Sequence, residues 1–144
     1  MIAKQAMLHP LLALVLLTSI VALVMFRRRV VEMRARKIRP QAVASAAQMA
    51  TLLDDTGPAD NFRNLFETPV LFYAAVLTVY AAALTSLPLV VLAWLYVALR
   101  VVHSAIHCTY NKVMHRFRAF AASLFVLWAI WGVIAWDLLV TGRG

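Results

Sequence analysis

Arg63, Asn64 and Glu67 stand at the head of an apolar run, in the stretch NFRNLFETPVLFYAAVLTVYAAAL from Asn61 to Leu84. Arg63 and Glu67 are four residues apart and share one face of a helix; Asn64, three before Glu67, nearly joins them. Further along, Arg100, His103, His107 and Tyr110 follow spacings of three, four and three, one stripe along a single helical face. Such groups are expensive in hydrocarbon and turn towards a bundle interior or a wet cavity, so the two clusters mark a functional site. Glu67 and Arg100 fall at similar depth on neighbouring helices and are expected to pair, because a buried pair is more tolerable than two lone charges. Pro69 removes the hydrogen bond to the carbonyl of Leu65 and kinks the helix beside Glu67, either as an ordinary membrane-helix kink or as a device that shapes the site. A haem on His103 and His107, or a zinc site on His103, His107, Cys108 and His115, is the other chemistry these residue types offer. A b-type haem needs histidines on facing helices at equal depth, whereas His9 lies at the opposite end of the bundle and His115 in a connection. The imidazoles therefore read as hydrogen-bonding groups, and no metal is expected.

The elements that must carry these residues follow from composition. Of 144 residues, 64% are hydrophobic and the mean hydropathy is +0.83, against about 45–50% apolar residues in an ordinary soluble domain. That excess must face lipid. Crossing about 30 Å of hydrocarbon takes about 20 apolar residues in a helix, and four runs are long enough. The expectation is a single all-α domain, an integral-membrane four-helix bundle with spans over about 7–26, 62–84, 88–108 and 117–140 and a polar connection over 27–61. The first run is longer than a signal-peptide core and is followed by Arg27, Arg28 and Arg29 in place of a cleavage site, so it reads as a retained span. The short TSLP connection makes the second and third helices an antiparallel hairpin, with Thr85 or Ser86 as cap and Pro88 in the first turn. The Ala-rich segment Gln41 to Leu53 reads as a short helix at the membrane face, and DDTGPAD as the turn before the second span.

Charge sets the orientation. Arg27, Arg28, Arg29, Arg34, Arg36, Lys37 and Arg39 fill the first connection, and Lys112, Arg116 and Arg118 the third. By the positive-inside rule both are cytoplasmic and both termini lie outside, with Trp128, Trp131 and Trp136 towards the outer end of the last helix. The net charge of +8 and pI near 10.6 reside in juxtamembrane cations that suit anionic headgroups, so nucleic acid is not an expected partner. The single cysteine, Cys108, excludes an intrachain disulfide and any CxxC site. Compact loops without organelle signals point to a bacterial inner membrane.

The segments RNLFE, RVVHSAIH and HRFR, in this order and at these positions on a four-span chain with a long first connection, resemble the MAPEG family, the membrane-associated proteins in eicosanoid and glutathione metabolism. The resemblance covers nearly the whole chain. It implies a homotrimer of four-helix subunits with glutathione as co-substrate, bound between subunits near the cytoplasmic side and open sideways to lipophilic small molecules in the membrane lipid. The family's second-helix Arg-Asn-x-x-Glu falls on Arg63, Asn64 and Glu67, and its third-helix Arg-x-x-His on Arg100 and His103. The arginine beside the glutathione thiol falls on Arg116, with Arg118 as the rival in the same turn. The departures are Asp60, where glutathione-using members often carry a further arginine, and His107 and Phe120, where some carry tyrosines; Tyr110, near His107, could supply one phenol. The implied activity is a glutathione transferase or peroxidase acting on lipophilic electrophiles. The alternative is a non-catalytic MAPEG-like protein that binds lipid or a partner.

Overall fold

The computed structural model describes residues 3–140. They are 82% helical, with no strand among them. After a 3-10 turn at Lys4–Met7 come helices α1 (Leu8–Ala35), α2 (Ala46–Leu52), α3 (Gly57–Asn64), α4 (Pro69–Ala81), α5 (Leu87–Cys108) and α6 (Val113–Leu139), with a second 3-10 turn at Pro40–Val43. Four helical stretches are long and apolar enough to cross a membrane: Lys4–Ala35, Gly57–Ala81, Leu87–Cys108 and Val113–Leu139. The protein is an integral membrane protein of the all-α class.

The packing suits lipid on the outside. Along α1 only Pro10, Leu14 and Val21 are buried, while Leu12, Leu16, Ile20, Leu23 and Phe26 are exposed. A helix apolar all round needs an apolar solvent on its free side. The core joins Leu14 of α1, Phe72, Val76 and Val79 of α4, Leu89, Ala93 and Tyr96 of α5 and Leu127, Ile130 and Ile134 of α6. The Phe72 and Tyr96 rings stack at 4.5 Å. The indole Nε1 of Trp131 donates to the carbonyl of Leu71 at 3.2 Å, fastening α6 to α4. The most extensive helix pair is α5 with α6.

The second span is broken in two. It opens earlier than the sequence suggested, at Gly57, where Pro58 costs no hydrogen bond in the first turn and Asp60 meets the positive end of the helix. It stops at Asn64 and restarts at Pro69, which takes the first position of α4. Between them Phe66 and Glu67 donate to the carbonyls of Arg63 and Asn64 three residues back, at 3.0 and 3.3 Å. Pro69 thus begins a helix and does not kink one. At the third span Ser86 occupies the N-cap position without a side-chain capping bond, and Thr85 Oγ1 donates instead to the carbonyl of Lys4 at 3.3 Å.

At its basic end α1 runs well past its apolar residues, and the connection folds back on it. The Glu32 carboxylate accepts the backbone N–H of Asp54 at 2.7 Å and of Asp55 at 3.4 Å. Arg36 Nη1 joins it at 2.9 Å and reaches Asp54 at 3.0 Å, while Arg28 pairs with Asp55 at 3.2 Å. Between these anchors α2 starts in a capping box, Ser45 Oγ accepting from the Gln48 N–H and Gln48 Oε1 from the Ser45 N–H. Hydrogen bonds to a charged group contribute about 1.5–3 kcal/mol. Glu32→Ala should therefore speed amide exchange across residues 53–57 by roughly tenfold to a hundredfold, read by hydrogen–deuterium exchange, with α5 and α6 unchanged.

Candidate functional site

The broken span, α5 and α6 enclose a cleft of about 340 Å3, walled by Asp60, Arg63, Asn64 and Glu67 on one side, His103 and His107 on the second, and Val113, Arg116, Phe117 and Phe120 on the third. Six of the eight residues assigned to the site from the sequence meet here, Arg63, Asn64, Glu67, His103, His107 and Arg116, together with the departures Asp60 and Phe120.

Close approach of α3 to α5 makes the cleft possible. A methyl group on Gly57 would lie 2.8 Å from the carbonyl oxygen of His107, so this contact requires glycine. One turn on, Asn61 is fully buried. Its Oδ1 accepts from Ser104 Oγ at 3.3 Å and its Nδ2 donates to Cys108 Sγ at 3.4 Å. Asn61 and Ser104 escaped the sequence reading, although Arg100, Ser104 and Cys108 form a four-residue row beside the recognised stripe.

Arg100 is fully buried behind the cleft wall, and Glu67 is not its direct partner. Arg100 Nη2 donates to Asn64 Oδ1 at 2.5 Å and contacts the Asn64 carbonyl at 3.4 Å. Asn64 Nδ2 then donates to Glu67 Oε2 at 3.1 Å. The expected ion pair is a relay with an amide in the middle. The helix break is the physical reason: it leaves the Asn64 carbonyl short of a regular helical donor and turns the exposed Glu67 towards the cleft. The guanidinium carbon of Arg100 lies over the Phe120 ring, 5.8 Å from its centroid.

Arg116, in the first turn of α6, is held from two sides. Its Nη1 donates to Asn111 Oδ1 at 2.8 Å and to His107 Nε2 at 2.9 Å. A guanidinium only donates, so His107 accepts through Nε2 and carries its hydrogen on Nδ1. The carbonyl of Arg116 accepts from His103 Nδ1 at 3.1 Å, which leaves His103 Nε2 without a hydrogen in the neutral ring. The two rings meet edge to face at 5.4 Å. At the mouth, Arg63 faces Asp60 at 3.9 Å.

Tyr110 is not part of the cleft. Helix α5 ends at Cys108, so the stripe stops one residue pair short of it, and the exposed phenol meets His115 Nδ1 at 3.2 Å instead. Asn111, with φ of 47°, completes the reversal into α6 and was not foreseen as the partner of Arg116. Arg118 is exposed and does not line the cleft.

In comparisons with known proteins, a family model described as MAPEG family matches residues 7–136. No curated protein and no solved structure matches the chain.

Proposed function

The chain belongs to the MAPEG family, and from that premise we propose that it is a membrane-bound glutathione-dependent transferase or peroxidase acting on lipophilic electrophiles. The family includes enzymes of this kind and non-catalytic members. The observation that carries the reading is the Arg116 guanidinium fixed at the cleft wall by Asn111 and His107.

The chemistry needs little else. A free thiol has a pKa of about 8.5, and only the thiolate attacks. A guanidinium stabilises such an anion as a hydrogen-bond donor and does not take up its proton. In conjugation the thiol proton passes to water, the sulfur forms a bond to the electrophilic carbon and the leaving group departs with its electron pair. Arg63 would hold a carboxylate, Asn64 and Glu67 polar groups of the peptide, while Arg100 and His103 fix Asn64 and Arg116 from behind. Phe117, Phe120 and Val113 form the apolar side from which a lipid-dissolved substrate would enter.

The functional unit in this reading is one four-span domain assembled as a homotrimer in a bacterial inner membrane, basic connections cytoplasmic and termini outside. A second reading, a non-catalytic lipid- or partner-binding protein, draws support from the Asp60–Arg63 contact, which occupies a cation otherwise free for glutathione.

Thermal unfolding of purified protein with and without glutathione tests the proposal. Ligand at 100 times its dissociation constant stabilises the folded state by about 2.7 kcal/mol. No shift at millimolar glutathione would favour the second reading, and native mass spectrometry that shows only monomer across several detergent concentrations would remove the trimer.

A further inference from the structure

The five N–H hydrogens of the Arg116 guanidinium fall into two groups. Both hydrogens on Nη1 are taken, one by His107 Nε2 at 2.9 Å and one by Asn111 Oδ1 at 2.8 Å. Among the described residues no acceptor meets Nε or Nη2, so the parallel hydrogens along that edge are the ones left for a ligand. The two partners on Nη1 differ in how firmly they hold. Asn111 is exposed, in the reversal after α5, and water can take the place of its amide. His107 is only 6% exposed, and a buried acceptor has no such substitute. Its main-chain carbonyl lies against Gly57 and its ring meets His103 edge to face. His103 holds the same arginine by its main chain, donating from Nδ1 to the Arg116 carbonyl at 3.1 Å. Two imidazoles one turn apart thus grip Arg116 in opposite roles, one as donor to its carbonyl and one as acceptor from its guanidinium.

We propose that His107 is a positioning residue: it holds the Arg116 guanidinium so that the Nε–Nη2 edge meets the thiolate, and it does not itself bind glutathione. The inference rests on the thiol-site reading of Arg116. His107 lines the cleft, yet neither of its ring nitrogens is on offer there. Nε2 is taken by Arg116, and Nδ1, which carries the hydrogen, is buried without a partner. An imidazole bound in this way acts on a ligand only through the arginine. Binding of the peptide and ionisation of its thiol then depend on different side chains. Arg63, Asn64 and Glu67 serve the first, and His107 serves the second alone.

The test compares glutathione with S-methylglutathione, the same peptide without an ionisable thiol. His107→Phe keeps a ring of similar size and removes the acceptor. Its turnover with saturating glutathione and a generic lipophilic electrophile should fall about tenfold, as expected for one lost hydrogen bond to a charged group. The ultraviolet absorbance of bound thiolate should fall with it. Its dissociation constant for S-methylglutathione, by isothermal titration in detergent, should stay within about twofold of the wild type, because Arg116 acts on the ionised thiol alone. His107→Gln brings an amide oxygen near the place of Nε2 and should recover most of the turnover and the absorbance. Melting temperatures are measured alongside, and His107→Leu takes the place of His107→Phe should the latter fail to fold. If S-methylglutathione binding weakens by as much as turnover falls, His107 is a ligand contact. Undiminished thiolate absorbance in His107→Phe, or a folded His107→Gln no better than His107→Phe, removes the acceptor role. Each of these results overturns the proposal and leaves the thiol site standing. Absence of glutathione binding to the wild type overturns both.

Discussion

Arg116→Ala is expected to cut turnover with a generic lipophilic electrophile by about a hundredfold to a thousandfold, the loss typical when one fixed donor to a developing anion is removed. The ultraviolet absorbance of bound thiolate should fall with it, while the state of assembly and the melting temperature hold, because Arg116 is partly exposed and its partner Asn111 lies open to water. Arg116→Lys should rescue little. An ammonium is a compact point charge and cannot span Asn111, His107 and a ligand as the planar guanidinium does. Arg118→Ala should stay within about twofold, since its side chain lies outside the cleft and an exposed charge contributes little. Thiolate absorbance undiminished in Arg116→Ala would remove Arg116 from the role assigned to it.

The largest loss of stability is expected from Asn64→Leu. It leaves the Arg100 guanidinium fully buried without its amide partner, and breaking a buried polar pair from one side costs about 3–5 kcal/mol. Arg100→Met should cost less, because the charge leaves together with its partner's role, and the double variant should regain part of the Asn64→Leu loss. Glu67→Gln distinguishes the relay from a direct ion pair. With Glu67 exposed and attached only through Asn64, its loss should be under about 1 kcal/mol. A Glu67→Gln variant that melts as early as Asn64→Leu would restore the direct pairing of Glu67 with Arg100. Thermal unfolding of the four variants in one detergent measures all of this.

The sequence made the four helices and most of the cleft legible, and the failures share one cause. Apolar runs of spanning length have few alternatives in lipid, and the Arg100–His103–His107 stripe survives because α5 is regular through Cys108. Extrapolating the helical period across Glu67 and Tyr110 failed because the chain leaves the helix at both places. Pro69 carried the signal of the first break and was read as a kink. Asn111 carried the second: asparagine tolerates the left-handed backbone that ends α5 there. The relay through Asn64 and the clamp of Asn111 on Arg116 depend on these two breaks. Pairing by opposite charge could not find them, since the intermediary in each case is a neutral amide.

The broken second span also bears on how the protein is made. Its best window has a mean hydropathy of 1.2, against 2.4 for the first span and 2.0 for each of the last two. Arg63, Asn64 and Glu67 oppose partition into lipid, and the break adds a carbonyl that no neighbour in its own segment covers in the regular way. In hydrocarbon an uncovered backbone group costs several kcal/mol. The Asn64 carbonyl takes the Glu67 N–H at 3.3 Å, and its second acceptor position is met by Arg100, thirty-six residues later in the chain. The second segment alone is therefore the weakest candidate for independent insertion, and joint entry with the third as one hairpin around the short turn at 82–86 is the expected route. A pair of helices, and not a single one, is then the expected inserting unit of this chain.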